Sequence, residues 1–168
     1  KGKEKVPQNP DLIRYKSDHL GVAIFHAQLK QVYETAIPLV KSDVNEKGDM
    51  LQFRVPISQL FSNGSIDLRR KRKDLLTETA TILIKRSSQT PTDMEILMNL
   101  KSDLPSVDGL TSNIPVKRLN HLVEGFIAQG VPARNIFIGL SNEGRNEVVF
   151  KFYIRDSFNN QFQQEAVK

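Results

Sequence analysis

The run Arg69-Arg70-Lys71-Arg72-Lys73 is the densest cluster of chemistry-bearing side chains in the chain. Consecutive cations can hold an anionic polymer such as nucleic acid, lipid headgroups or a teichoic-type chain. The plainer reading is the solvated start of a helix. It is favoured, because no aromatic side chains interleave with the cations to stack bases. Arg72 is the odd member. It falls on the helical face of Leu68 and Leu76, so it either snorkels along its own stem or contacts a partner.

The histidines are His19, His26 and His121. None has the His-x3-His spacing that puts two ligands on one helical face. Histidine titrates near neutrality, which opens a pH-sensing role without indicating one. The chain has no cysteine, which excludes disulfides, thiolate metal sites and thiol nucleophiles. No nucleophile elbow, phosphate loop or dinucleotide fingerprint occurs. Serine, histidine and aspartate are all present, but presence alone makes no triad. The expectation is a binding module, not an enzyme, with no metal and no cofactor.

The elements that position any site come from patterning. The chain has 168 residues, 39% hydrophobic and 26% charged, as in an ordinary globular domain. Its formal charge of +5 suits an acidic partner. No apolar run approaches the roughly 18–20 residues that span a bilayer, and no signal peptide is visible. The first residue is lysine, so a cut or processed chain is expected, and a membrane segment upstream would lie outside it.

Residues 1–16 carry prolines and charges and read as a linker. Ser17 is placed to cap a helix running to about Val40, with Pro38 disturbing its end; residues 17–44 form this helix and a turn. Leu51, Phe53 and Val55 alternate as a half-buried strand. Asp67 is placed to cap a second helix through about Lys85, with Leu68, Leu75, Leu76, Thr79 and Leu83 on one face. Met94 to Leu100 read as a strand buried on both sides. Pro115 opens a third helix that ends at Gln129-Gly130. Ile136 to Leu140 form a short strand, and Val148, Phe150 and Phe152 alternate in a last one. A polar tail follows from residue 157. The order after the first helix is β-α-β-α-β-β, which predicts a two-layer α/β (α+β) sandwich on a mixed sheet.

Leu60-Phe61-Ser62-Asn63-Gly64-Ser65-Ile66-Asp67-Leu68 resembles the "LF-x-x-GSA-x-L" opening of OmpA-like domains, and Leu75-Leu76 sit at that family's paired leucines. Arg118, Val123, Phe126, Gly130, Val131 and Ile136 fall in register with its second helix and next strand. The resemblance covers about residues 45 to 155, the domain itself being 45–156. The segment before it resembles the region between membrane helix and wall-binding domain in MotB-like stator subunits.

The resemblance implies the same β-α-β-α-β-β fold and a site. In the family a Thr-Asp pair after the second strand and an arginine at the second helix grip diaminopimelate of the peptidoglycan stem peptide. Ser102-Asp103 and Arg118 occupy those places, with Thr111 and Asn113 near the family's loop asparagine. A guanidinium takes a carboxylate in a two-pronged pair, and an aspartate takes the ammonium of the same zwitterion. The alternative is a structural Asp103–Arg118 ion pair. Several positions depart from the family. Leu100 and Lys101 replace a glycine and a histidine or tyrosine, Pro115 replaces a serine, and Arg145-Asn146-Glu147-Val148 replaces the "N-R-R-V" block. The implied protein is periplasmic and held at the bacterial inner membrane by an upstream helix. It would form a homodimer, partner a MotA-like channel subunit and bind peptidoglycan, not nucleic acid. The alternative is a secretion or lipoprotein scaffold that binds protein instead of wall.

Overall fold

Period-two alternation builds the central sheet of the computed structural model, which describes residues 10–87, 92–101, 104 and 113–154. Strand β2 (Met50–Pro56) and strand β5 (Glu147–Ile154) pair antiparallel, with Phe53 opposite Phe150 and Leu51 opposite Phe152. Both apolar rows therefore face one side. Strand β3 (Thr92–Asn99) pairs antiparallel with the other edge of β5 and parallel with β4 (Ile136–Ser141). With the short β1 (Lys41–Val44) beside β2, the order is β1-β2-β5-β3-β4. Met94, Ile96 and Met98 of β3 are fully buried, and Asp93 and Asn99 near its ends are largely buried. Glu95 and Leu97, in the middle of the other face, are only half-buried, so the two-sided burial that its apolar run predicts holds at the ends of the strand and not at its centre.

The helices α1 (Pro10–Ala36), α3 (Lys73–Ser87) and α4 (Ile114–Ala128) cover the apolar row. Phe25, Leu29 and Tyr33 place one face of α1 in the core, and Ile37, just past its end, is buried with them. Tyr33 stacks on Phe53 at 4.2 Å and 2°, a contact worth about 1 kcal/mol beyond the area it buries. Its hydroxyl meets Thr79 of α3 at 3.2 Å. Burial pushes the Tyr33 phenol well above its ordinary range, and the Thr79 hydrogen bond offsets this only in part. The predicted two-layer α+β sandwich is the observed architecture.

Several boundaries differ from expectation. The first helix starts at Pro10, not Ser17, consistent with proline's tolerance in a first helical turn. It stops at Ala36, not Val40, because Ile37 precedes Pro38 and is steered out of the helical region. Leu39 then takes a positive φ of 60°. Strand β1 was not expected. Its four residues, Lys41-Ser42-Asp43-Val44, carry one apolar side chain, and the hairpin turn creates the strand. In that turn Gly48 takes φ 75°, and the Asn45 side chain accepts from the Met50 amide at 3.0 Å.

The second long helix begins at Lys73, not at Asp67. A bridge between Phe61 and Leu68, and a 2.7 Å bond from the Arg69 amide to the Leu60 carbonyl, hold the chain extended past Asp67. A 3-10 turn over Arg70–Arg72 then leads into the helix. The short helix α2 (Ile57–Leu60) opens this connection. The last helix starts one residue before Pro115 and ends as expected, with Gln129 as C-cap and Gly130 at φ 105°.

Candidate functional site

Ser102, Asp103 and Thr111 lie outside the described residues. Asn113 and Arg118 lie within them. Asn113 is the N-cap of α4, its side-chain oxygen accepting from the Val116 amide at 3.4 Å. Its first role is therefore to start the helix that carries Arg118.

Arg118 sits in the second turn of α4 and points at the loop after α2. There Gly64, at φ 76°, turns the chain, closed by a 3.0 Å bond from the Ser65 amide to the Ser62 carbonyl. The turn presents two carbonyls to one guanidinium. Nε of Arg118 donates to Ser65 at 2.7 Å, and Nη2 donates to Ser62 at 3.0 Å. The guanidinium also lies 4.9 Å over the Phe61 ring. Partial burial pulls the Arg118 pKa below its ordinary value, yet a guanidinium stays charged at any physiological pH. Nη1 is left undirected by these bonds. Among the described residues no carboxylate lies within ion-pair distance of Arg118. A fixed, partly desolvated cation with open donors is suited to a carboxylate.

Sequence reasoning named Arg118 but not what holds it. The holders are backbone carbonyls, which carry no side-chain signature; the signal was Gly64 within the Leu60–Leu68 block. One turn along α4, His121 Nδ1 lies 3.2 Å from Asp67, so Asp67, freed from capping, faces a histidine. Both line a groove of about 380 Å³ between α3 and α4, floored by Leu76 and Leu122. Gly125 permits the close approach of these helices, since a Cβ there would sit 3.0 Å from Leu76 Cδ1.

Two of the departures from the family pattern, Leu100-Lys101 and the block at Arg145 to Val148, also meet in space. The Lys101 amide donates to the Asn146 side chain at 3.1 Å, and the Gly144 amide donates to the Leu100 carbonyl at 3.2 Å. Leu100 is buried. The carboxyl end of β3 and the turn before β5 thus form one structural unit.

The basic run resolves into two roles. Arg72 neither snorkels nor awaits a partner. Its Nη1 donates to the Ala36 carbonyl at 2.6 Å, its Nε to the Gln59 carbonyl at 2.9 Å and its Nη2 to the Gln59 side chain at 2.7 Å. It ties the C-terminus of α1 to α2, where a cation also opposes the negative end of the helix dipole. Arg69 donates to the Ser58 carbonyl at 2.8 Å. Arg70, Lys71 and Lys73 are exposed. Among the described residues no group of three side chains could hold a metal ion, and no helix is long and apolar enough to cross a membrane.

No protein-family model and no curated sequence matches the chain. Solved structures do match its fold. A MotB-like protein from Desulfovibrio vulgaris superposes with a TM-score of 0.60 at 13% identity, over 88% of this chain and all of that one. The periplasmic domain of Helicobacter pylori MotB (residues 78–256) gives 0.55 at 12%, over 76% of this chain and 89% of that one. The cell wall anchor of the type VI secretion system from Pseudomonas aeruginosa gives 0.55 at 14%, over 76% and 97%. The chain therefore has the MotB-like, OmpA-like α+β fold that residues 45 to 155 implied.

Proposed function

We propose that this domain is a periplasmic cell-wall anchor that binds peptidoglycan and catalyses no reaction. The observation that carries the reading is the orientation of Arg118. Two backbone carbonyls and an aromatic face fix its guanidinium, and among the described residues none takes Nη1, which would meet a stem-peptide carboxylate. Asp103, together with Ser102, Thr111 and Asn113, would take the ammonium of the same zwitterion. Each charge-assisted contact contributes about 1.5–3 kcal/mol. The likeness to MotB periplasmic domains and to a secretion-system wall anchor supports the same reading.

The wider assembly belongs to the proposal. The domain would hang from an inner-membrane helix upstream, form a homodimer, and serve as the stator subunit beside a MotA-like channel subunit. The departures at Leu100, Lys101, Pro115 and Arg145 to Val148 favour a secretion machine over a flagellar motor. Sedimentation with purified peptidoglycan tests the site. Wild type should pellet with the sacculus, and Asp103→Ala and Arg118→Ala should not. Equal pelleting of all three discards the two-residue grip.

The second reading is a scaffold that keeps the fold and binds protein instead of wall. Buried Leu100, standing where the family has glycine, favours it. It predicts no pelleting by wild type.

A further inference from the structure

The two outer edges of the sheet are built differently. The β1 edge is four residues long, and Lys41 and Asp43 place charges on it. Short, charged edges resist pairing with another strand. The β4 edge reads Ile136-Phe137-Ile138-Gly139-Leu140-Ser141, without a charge or a proline. Phe137 and Ile138 are each 48% exposed. Among the described residues no strand pairs with the outer side of β4. An apolar edge of this kind, unpaired among the described residues, is a template for one more strand.

We propose that a second copy of this chain supplies that strand, its β4 lying antiparallel to this one so that two five-stranded sheets become continuous. The register selects the partner. Ile136, Ile138 and Leu140 align with Met94, Ile96 and Met98 and so face the helices, whereas Phe137 and Gly139 align with Glu95 and Leu97 on the open face. A two-fold axis perpendicular to the sheet preserves the faces, so only residues of like face can stand opposite each other.

Centred on Ile138, the pairing sets Ile138 against its twin and Ile136 against the partner's Leu140. It also sets Phe137 against the partner's Gly139, twice by symmetry. A large ring opposite a residue with no side chain is a favourable cross-strand pair. Leu97 already leans over Gly139, since a Cβ there would lie 2.7 Å from Leu97 Cδ2. The arriving Phe137 ring would land on that apolar side chain. Centring on Gly139 instead would set Phe137 against the partner's Ser141 and glycine against glycine, which loses these contacts.

This surface deepens the homodimer of the proposed function and rests on that reading for the number of copies. Its test is separate from peptidoglycan binding. Sedimentation velocity over micromolar to high micromolar concentrations should show a wild-type dimer. Ile138→Lys should give a monomer with an unchanged circular dichroism spectrum, since the side chain it replaces is half exposed. The chain lacks cysteine, so Ile138→Cys provides a single thiol facing its twin within disulfide reach. With oxidised glutathione as oxidant it should cross-link at least about tenfold faster than Ile136→Cys, whose twin lies across the axis and out of reach. A monomeric wild type overturns both the surface and the homodimer. A dimer that survives Ile138→Lys, with equal cross-linking of the two cysteine variants, overturns the β4 surface and leaves a homodimer formed elsewhere.

Discussion

Arg72 and Arg118 each stand near the start of a helix, and each donates to backbone carbonyls, yet the two side chains are committed to different degrees. Arg72 directs all three guanidinium nitrogens into the protein, towards Ala36 and Gln59. Among the described residues, Arg118 directs two of three, towards Ser62 and Ser65, and lies against Phe61. A fully committed guanidinium is a clamp. One held by part of its fork is aimed. The difference separates a cation that stabilises the fold from one available to a ligand, a distinction that net charge and the basic run could not make.

Substitution at Arg72 should give the largest effect. Arg72→Met keeps the apolar stem but leaves the Ala36 and Gln59 oxygens without their cation. A loss of about 2–3 kcal/mol is expected from charge-assisted bonds of this kind, read as a lower urea midpoint with an unchanged slope. Peptidoglycan pelleting at a temperature where the variant is folded should match wild type.

Arg118→Met should show the reverse balance. It removes two bonds at a more exposed place, so about 1–1.5 kcal/mol of stability is expected to go, while pelleting is lost. Arg118→Lys sharpens the point. The charge is kept, but a single ammonium cannot hold both carbonyls and still offer a planar edge to a carboxylate, so pelleting should fall although stability barely moves. If Arg118→Met costs as much stability as Arg72→Met and leaves pelleting intact, the comparison breaks and both arginines are clamps.

A smaller effect tests the same docking of α1 by another route. Tyr33→Phe removes the hydroxyl that meets Thr79 and leaves the stack on Phe53 in place. About 1 kcal/mol should be lost in urea unfolding. Combined with Arg72→Met, the two losses should sum to less than their separate values, because both substitutions loosen one helix.

These contrasts also show how much was legible in the sequence. Strands β2, β3 and β5 were, because burial of one face forces alternation, and β3 adds the apolar run Ile96-Leu97-Met98 of a strand paired on both edges. Helix α4 was, because Pro115 and Gly130 carry backbone preferences that survive any context. The overall architecture followed from the order of these elements. Strand β1 was not, since its apolar content is one valine and its position depends on the Asn45–Gly48 turn. Asp67 read as a cap because aspartate commonly caps helices. The Phe61–Leu68 bridge, a tertiary pairing, moved the helix start to Lys73. At the site Arg118 was named from the resemblance, but its holders, Ser62 and Ser65, act through carbonyls that every residue has. Arg72 could be flagged as out of place on an apolar face, but its target is the end of a helix distant in sequence.

The smallest effect lies at the other attachment of α1. Arg86 of α3 stacks 4.9 Å over Phe25, next to His26. Where Arg72 attracts the end of α1, Arg86 repels any charge placed on His26. Burial lowers the His26 pKa first, and Arg86 and then Lys30 lower it further. The folded protein therefore prefers neutral imidazole. The unfolded chain takes up its proton near the ordinary value of about 6.5. Above that pH neither state is charged and the contribution of His26 is fully present. As pH falls below it, the unfolded state binds protons that the folded state resists, and stability declines until the folded pKa is passed. Urea unfolding at about pH 7.5 and about pH 5.5 should show wild type losing stability on acidification, and His26→Gln should lose less over the same interval. An identical decline in the variant would assign the pH dependence to other groups and remove the repulsive contact from the account of how α1 is held.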